Sequence, residues 1–171
     1  MYLDKISKMV NLRIHRSSYN NKEVNRNFLF VGSEDKHEFL SYITNKDIDE
    51  KNNVIKFQQA TLYNVKKEKI PNQSKLELMN YVVCFFDFDD FENSKKMCYA
   101  YLRKTRYYVE DVLMVACGDY GITEEERERN KRRFNRTRVG KLWKKLYGEY
   151  EPSIFDDDMD ELASFITTLC K

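Results

Sequence analysis

The run YVVCFFDF, residues 81–88, constrains this chain most, because it is apolar at successive positions and rich in aromatic and β-branched residues. A strand covered on both faces needs that pattern, and a half-solvated antiparallel strand does not tolerate it. Residues 28–31 (FLFV), closed by Gly32, and residues 112–116 (VLMVA), closed by Cys117 and Gly118, read the same way. Helical spacing follows each strand. Phe39, Leu40, Tyr42 and Ile43 form one face after the first run. Phe91, Met97, Ala100, Tyr101 and Leu102 form another after the second, predicting a helix that runs to about Tyr108. Thr123 and Glu126 make a T-x-x-E capping box at the head of a further helix. Glu124, Glu125 and Glu126 sit at its positive end, and Glu125 and Glu128 stand four residues before Arg129 and Arg132, where they can pair. Strand and helix in alternation predict an α/β fold with a mainly parallel sheet flanked by helices on both faces.

The remaining segments are less marked. Residues 54–57 read as a strand, residues 60–65 as an edge segment and residues 152–155 as an edge strand. Asp156, Asp157 and Asp158 open a final helix whose buried stripe is Leu162, Phe165, Ile166 and Leu169. Residues 1–27 mix Arg, Lys, Asn and Ser with a weak period at Leu3, Ile6, Met9 and Val10, and read as an extension before one domain of residues 28–171. A folded chain is expected, because Leu, Ile, Val and Phe number 44, about 26% of residues against the roughly 20% below which charge predicts disorder. Thirty Lys and Arg against 28 Asp and Glu leave a net charge of +2, so only local charge is informative. No apolar run approaches the roughly 18 residues of a membrane span, and the first residues lack a signal-peptide core, so a soluble, unexported protein is expected. Cys84, Cys98, Cys117 and Cys170 form no C-x-x-C, and His15 and His37 stand far from them in sequence. Buried reduced thiols in a cytosolic or nuclear protein are expected, with no zinc site and no other cofactor.

A sheet whose first strand ends in glycine invites comparison with the phosphate-binding loop G-x-x-x-x-G-K-[ST]. Counted from Gly32, the positions for Gly, Lys and Ser/Thr hold His37, Glu38 and Phe39. Glu34, Asp35 and Glu38 against a single Lys36 would repel a triphosphate. No D-x-x-G occurs, and the place of a base-reading N-K-x-D after the 112–116 strand is taken by Cys117, Gly118, Asp119 and Tyr120. The spacing of the parts is nonetheless that of small GTPases, with YVVCFFDFDDFENSKK looking like their fourth strand and following helix. More narrowly, VGSEDKHEFLSYI, then MNYVVCFFDFDDFENSKKMCYAYLRKTRYYVEDVLMVACGDYG, and finally SIFDDDMDELASFITTLCK resemble the centromere protein M family. The resemblance covers roughly residues 28–171, and residues 1–27 and 44–78 look like additions to the pattern. It implies a small-GTPase-like pseudo-GTPase domain without a nucleotide site, a non-catalytic structural subunit of the inner kinetochore in the nucleus. The implied partners are a helical-repeat subunit similar to centromere protein I and coiled-coil subunits similar to centromere proteins H and K.

Two clusters support other readings. Asp87, Asp89 and Asp90 close one strand and Glu34 another, so carboxylates could gather at one sheet edge as in a Toprim magnesium nuclease, although the expected Glu-Gly pair is here Gly32 and Ser33. The simpler role is helix capping, in which none of them binds a metal, and contact with a partner is a third reading. Residues 127–145 read as one basic helix with ten Lys or Arg and one Glu, which suits nucleic-acid phosphates, an acidic subunit or plain solvation. Phe134, Val139, Leu142 and Trp143 interrupt the run and imply one packed side. Arg132, Arg133, Arg136 and Arg138 exceed what the helix dipole and Glu128 balance, and are the expected partner-binding residues. Tyr99, Tyr101, Tyr107 and Tyr108, on or beside one helix, read as core and rim.

Overall fold

The three apolar runs become neighbouring parallel strands at the centre of one sheet. The computed structural model describes residues 26–66 and 69–171. In chain order these form β1 (Arg26–Gly32), α1 (Asp35–Thr44), β2 (Val54–Phe57), β3 (Ala60–Asn64), α2 (Gln73–Leu76) and β4 (Tyr81–Asp87). A 3-10 turn (Phe88–Asp90) then leads into α3 (Phe91–Thr105), β5 (Asp111–Cys117), α4 (Glu124–Asn135), α5 (Arg138–Tyr147), β6 (Ser153–Ile154) and α6 (Met159–Leu169). The six strands lie in the order β2-β3-β1-β4-β5-β6, and β2 alone runs antiparallel to its neighbour. β1 is described from Arg26, and the extension expected over residues 1–27 falls almost wholly before it. Residues 1–25 lie outside the described residues.

Successive strand residues enter two different cores, which explains the unbroken apolar runs. Phe28 and Phe30 of β1, Tyr81, Val83 and Phe85 of β4, and Leu113 and Val115 of β5 pack with Phe39 and Leu40 of α1 and Leu162 and Ile166 of α6. The alternate positions Leu29, Val31, Val82, Cys84, Phe86, Val112 and Met114 pack with Cys98 and Leu102 of α3, Phe134 of α4, and Val139 and Trp143 of α5. All four cysteines are buried and unbridged, as their pattern predicts. The Cys84 and Cys98 sulfurs stand 3.0 Å apart, and that contact, with burial, holds the Cys98 thiol well above its ordinary pKa.

Three expectations need correction. Residues 60–65 are not an edge segment, since β3 lies between β2 and β1. The tight turn at Gln58, whose φ of +52° is left-handed, folds β2 outside β3, so β2 is the edge and its Val54 is 53% exposed. The helix after β4 ends at Thr105, not near Tyr108. The Tyr108 and Val109 N–H groups both donate to Thr105 O, at 2.9 and 3.1 Å, and turn the chain toward β5. Finally, residues 127–145 are not one helix. The chain breaks between α4 and α5, where the Thr137 hydroxyl donates to Phe134 O at 2.6 Å and accepts from Gly140 N at 3.0 Å.

That corner requires glycine at 140, because a Cβ there would lie 2.1 Å from Phe134 O and 2.8 Å from Asn135 Cα. Alanine gains roughly 1 kcal/mol of helix propensity over glycine, but the clash is with backbone and cannot be relieved by a rotamer change. Gly140→Ala is therefore expected to lower stability by about 2 kcal/mol, read from the shift in a urea unfolding midpoint. An unchanged or raised midpoint would mean that the corner does not fix the α4–α5 angle.

Candidate interaction surface

In an open α/β sheet the usual ligand crevice lies beyond the carboxyl ends of the strands, where the order reverses. Here that place is between β1 and β4, and it is closed. Gly32 has φ of +97°, and a Cβ on it would sit 2.3 Å from Phe85 O. Ser33 N donates to the same carbonyl at 2.9 Å, so the loop after β1 is stapled to β4. Lys36 is fully buried, its ammonium donating to Gly32 O at 3.3 Å and to Val65 O. The space left among Gly32, Ser33, Phe85, Asp87, Asp90 and Ser94 is ≈ 10 Å³, against the roughly 300 Å³ or more of a small-molecule pocket.

The carboxylates expected at this edge are engaged locally. Asp87 Oδ1 accepts from Asp89 N at 2.9 Å, the capping role its position after a strand predicts. Asp89 Oδ1 accepts from Asp119 N at 3.2 Å, and Asp90 Oδ1 from Asn93 Nδ2 at 3.0 Å. Glu34 opens instead onto a separate cleft of ≈ 150 Å³ with Lys36, His37 and Glu50. Burial, and then the neighbouring Lys36 charge, hold the His37 imidazole below its ordinary pKa. Among the described residues no three His, Cys, Asp or Glu side chains gather as a metal site would need.

The basic residues are arranged differently. Arg132 and Arg133 lie on α4, Arg136 in the break and Arg138 at the start of α5, and all four are exposed. Arg133 is committed in part, its guanidinium carbon lying 3.7 Å from the centre of the Phe91 ring. The α4 ion pairs run to other parts of the chain, Arg127 to Asp157 and Lys131 to Glu151 at 3.0 Å. They are not the expected pairs of Glu125 with Arg129 and Glu128 with Arg132. Among the described residues no carboxylate lies within ion-pair distance of Arg132, Arg136 or Arg138.

These arginines belong to a wider charge separation. On one side of the sheet, α3 carries four Lys or Arg and one Glu, α4 five and four, and α5 four and no acid. On the other side, α1 and α6 together carry four Asp or Glu and one Lys, which is buried, while of the three aspartates that precede α6, Asp157 reaches across to Arg127 of α4. The net charge of +2 thus conceals a strongly polarised domain.

Sequence reasoning missed one feature of α3. Its Tyr101 is core, donating to Lys69 O, whereas Tyr107, two residues past the helix end, is 70% exposed beside Arg103, Lys104 and Arg106. The signal was present as bases and tyrosines crowded into residues 103–108. Among the described residues no helix is long and apolar enough to cross a membrane. No protein-family model matches the chain, and no curated protein matches it.

The capping box expected at the head of α4 is complete. Glu126 Oε2 accepts from Ile122 N at 2.8 Å and Thr123 N at 3.1 Å, and Thr123 Oγ1 accepts from Glu126 N at 3.2 Å. The Thr123 and then the Ile122 backbone N–H hold the Glu126 carboxyl below its ordinary pKa. A depressed folded-state pKa contributes stability that is complete above the unfolded value and is lost as pH falls through the folded one. The stability gap between the natural chain and Glu126→Gln is therefore expected to shrink as pH falls below the ordinary glutamate value of about 4.3. Denaturation midpoints across that range test it, and a gap that stays constant in acid would contradict it.

Proposed function

We propose that this chain is a non-catalytic docking subunit, an α/β domain of small-GTPase-like kind that receives an acidic partner surface on its α3–α4–α5 side. The observation that carries the reading is the charge separation, with exposed Arg132, Arg136 and Arg138 lacking a carboxylate partner among the described residues. Exposed arginines on two helices and the short turn between them match flat carboxylates. The GTPase-like part of the reading draws support from the mostly parallel order with one antiparallel strand, and from YVVCFFD forming the fourth strand. Its finer form rests on the resemblance to the centromere protein M family. On that reading the assembly is the inner kinetochore of the nucleus. The partners would be a helical-repeat subunit similar to centromere protein I and coiled-coil subunits similar to centromere proteins H and K.

Loss of nucleotide chemistry belongs to the proposal, because His37, Glu38 and Phe39 replace the phosphate-binding residues and the crevice holds ≈ 10 Å³. Calorimetry with magnesium and GTP is expected to show no saturable binding. A dissociation constant tighter than about 1 μM, near −8 kcal/mol, would overturn this part.

The docking surface is tested by Arg132→Glu, Arg136→Glu and Arg138→Glu together. Arg133 is left in place because its stacking on Phe91 would mix a stability change into the result. The triple variant is expected to melt as the natural chain does while losing co-purification with its tagged assembly at physiological salt. Assembly indifferent to the reversal would place docking elsewhere. The same basic side also suits a nucleic-acid backbone. That reading gains if duplex DNA binds with an affinity falling steeply with salt and the triple variant flattens the slope by about 3.

A further inference from the structure

A groove apart from Arg132, Arg136 and Arg138 lies at the end of α3, where the helix stops at Thr105. Arg103, Lys104, Arg106, Tyr107 and Tyr108 meet Leu76 of α2 around a groove of ≈ 370 Å³. That volume falls within the roughly 300–1,000 Å³ of ligand-sized clefts, unlike the closed crevice between β1 and β4. The groove has a buried apolar floor at Leu76 and a cationic and aromatic rim.

The rim is built in advance of any ligand. The Arg106 N–H donates to Leu102 O at 3.1 Å and closes the helix. Its guanidinium carbon lies 4.5 Å from the centre of the Tyr107 ring, and its Nη2 donates to the Tyr107 hydroxyl. Tyr107 and Tyr108 meet edge to face, with ring centres 6.5 Å apart. A guanidinium and two aromatic rings already held in place lose little freedom on binding. Arg and Tyr are also the side chains that most often carry binding energy at interfaces.

The charge around the groove is one-sided. Among the described residues, none that lines the groove is acidic. Glu77, the residue that follows α2, accepts from the Gln73 amide at 2.9 Å. The partial negative charge at the end of α3 offsets some of the Arg103 and Lys104 charge. Among the described residues no carboxylate pairs with Arg103, Lys104 or Arg106.

We infer that this groove docks a short acidic segment of a partner protein, with carboxylates on Arg103, Lys104 and Arg106 and an aromatic or aliphatic side chain on Leu76 and Tyr108. A peptide fits better than a nucleic-acid backbone, because the three cations cluster around one apolar-floored cleft and do not line a track of phosphates. The site is independent of Arg132, Arg136 and Arg138, so either surface can fail without the other.

Random short peptides displayed on phage and selected on the full chain test the inference, with counter-selection on the Arg103→Glu, Arg106→Glu variant. Circular dichroism and melting of that variant confirm that it remains folded. The expected winners carry two or more Asp or Glu flanking an aromatic residue or Leu. A synthesised winner is expected to bind the double variant at least about tenfold more weakly and Tyr107→Ala severalfold more weakly, with affinity unchanged in Arg132→Glu, Arg136→Glu, Arg138→Glu. Absence of winners, winners without acidic residues, or winners that bind the double variant equally would overturn the proposal. Displacement of the winner by an equal concentration of duplex DNA would assign the groove to phosphates and overturn it too.

Discussion

Phe134 is the fastening on which the basic side of this domain depends. Its ring stacks on Tyr150 with centres 3.8 Å apart and meets Phe86 of β4 edge-on at 5.4 Å. Trp143 closes on Tyr150 at 6.1 Å from the next helix. Burying such a ring contributes about 1.5–3 kcal/mol, and each aromatic pair adds about 0.5–1.5 kcal/mol. The Phe134 carbonyl is equally committed, accepting from Thr137 N at 3.0 Å as well as from the Thr137 hydroxyl. One residue thus ties α4 to the sheet through its side chain and turns the chain into α5 through its backbone. The positions of Arg132, Arg133, Arg136 and Arg138 follow from that double attachment.

The glycine that makes the first loop look like a phosphate site has another explanation. Gly32 sits against the Phe85 carbonyl, where any Cβ would collide, and its φ of +97° is one that side chains rarely adopt. Packing of β1 on β4 is enough to require it. Lys36 has likewise turned inward onto Gly32 O, so the one cation of the loop is spent on satisfying a carbonyl inside the protein. A glycine after a first strand and a nearby lysine can therefore be present for structural reasons alone, and they carry no argument for a nucleotide here.

Features fixed locally were legible in the sequence, and features fixed by distant contacts were not. β4 and β5 could be read because burial on both faces writes apolar residues at every position, and the Thr123–Glu126 box because its bonds close within four residues. The break at Thr137 was hidden. Val139, Leu142 and Trp143 continue a helical spacing, and only the approach of Gly140 to the Phe134 carbonyl reveals the corner. The interior place of β3 was equally out of reach, since pairing with β1 joins segments some thirty residues apart. For the candidate site, the arginines and their exposure were legible, but the acidic opposite side was not. It arises only when the sheet sorts α1 and α6 away from α3, α4 and α5.

That sorting explains why net charge is a poor guide to this molecule. Helices about 10 Å across on either side of a sheet place the two charged layers on the order of 20 Å apart, well beyond the roughly 8 Å over which salt screens charge under physiological conditions. A partner at either side responds to the local layer and not to the total of +2. On the docking proposal the basic side would attract carboxylates while the acidic side would repel them, and the same charge would also fix which way the domain faces. Orientation therefore needs no additional contact, because a partner surface of one sign meets only one of the two layers favourably.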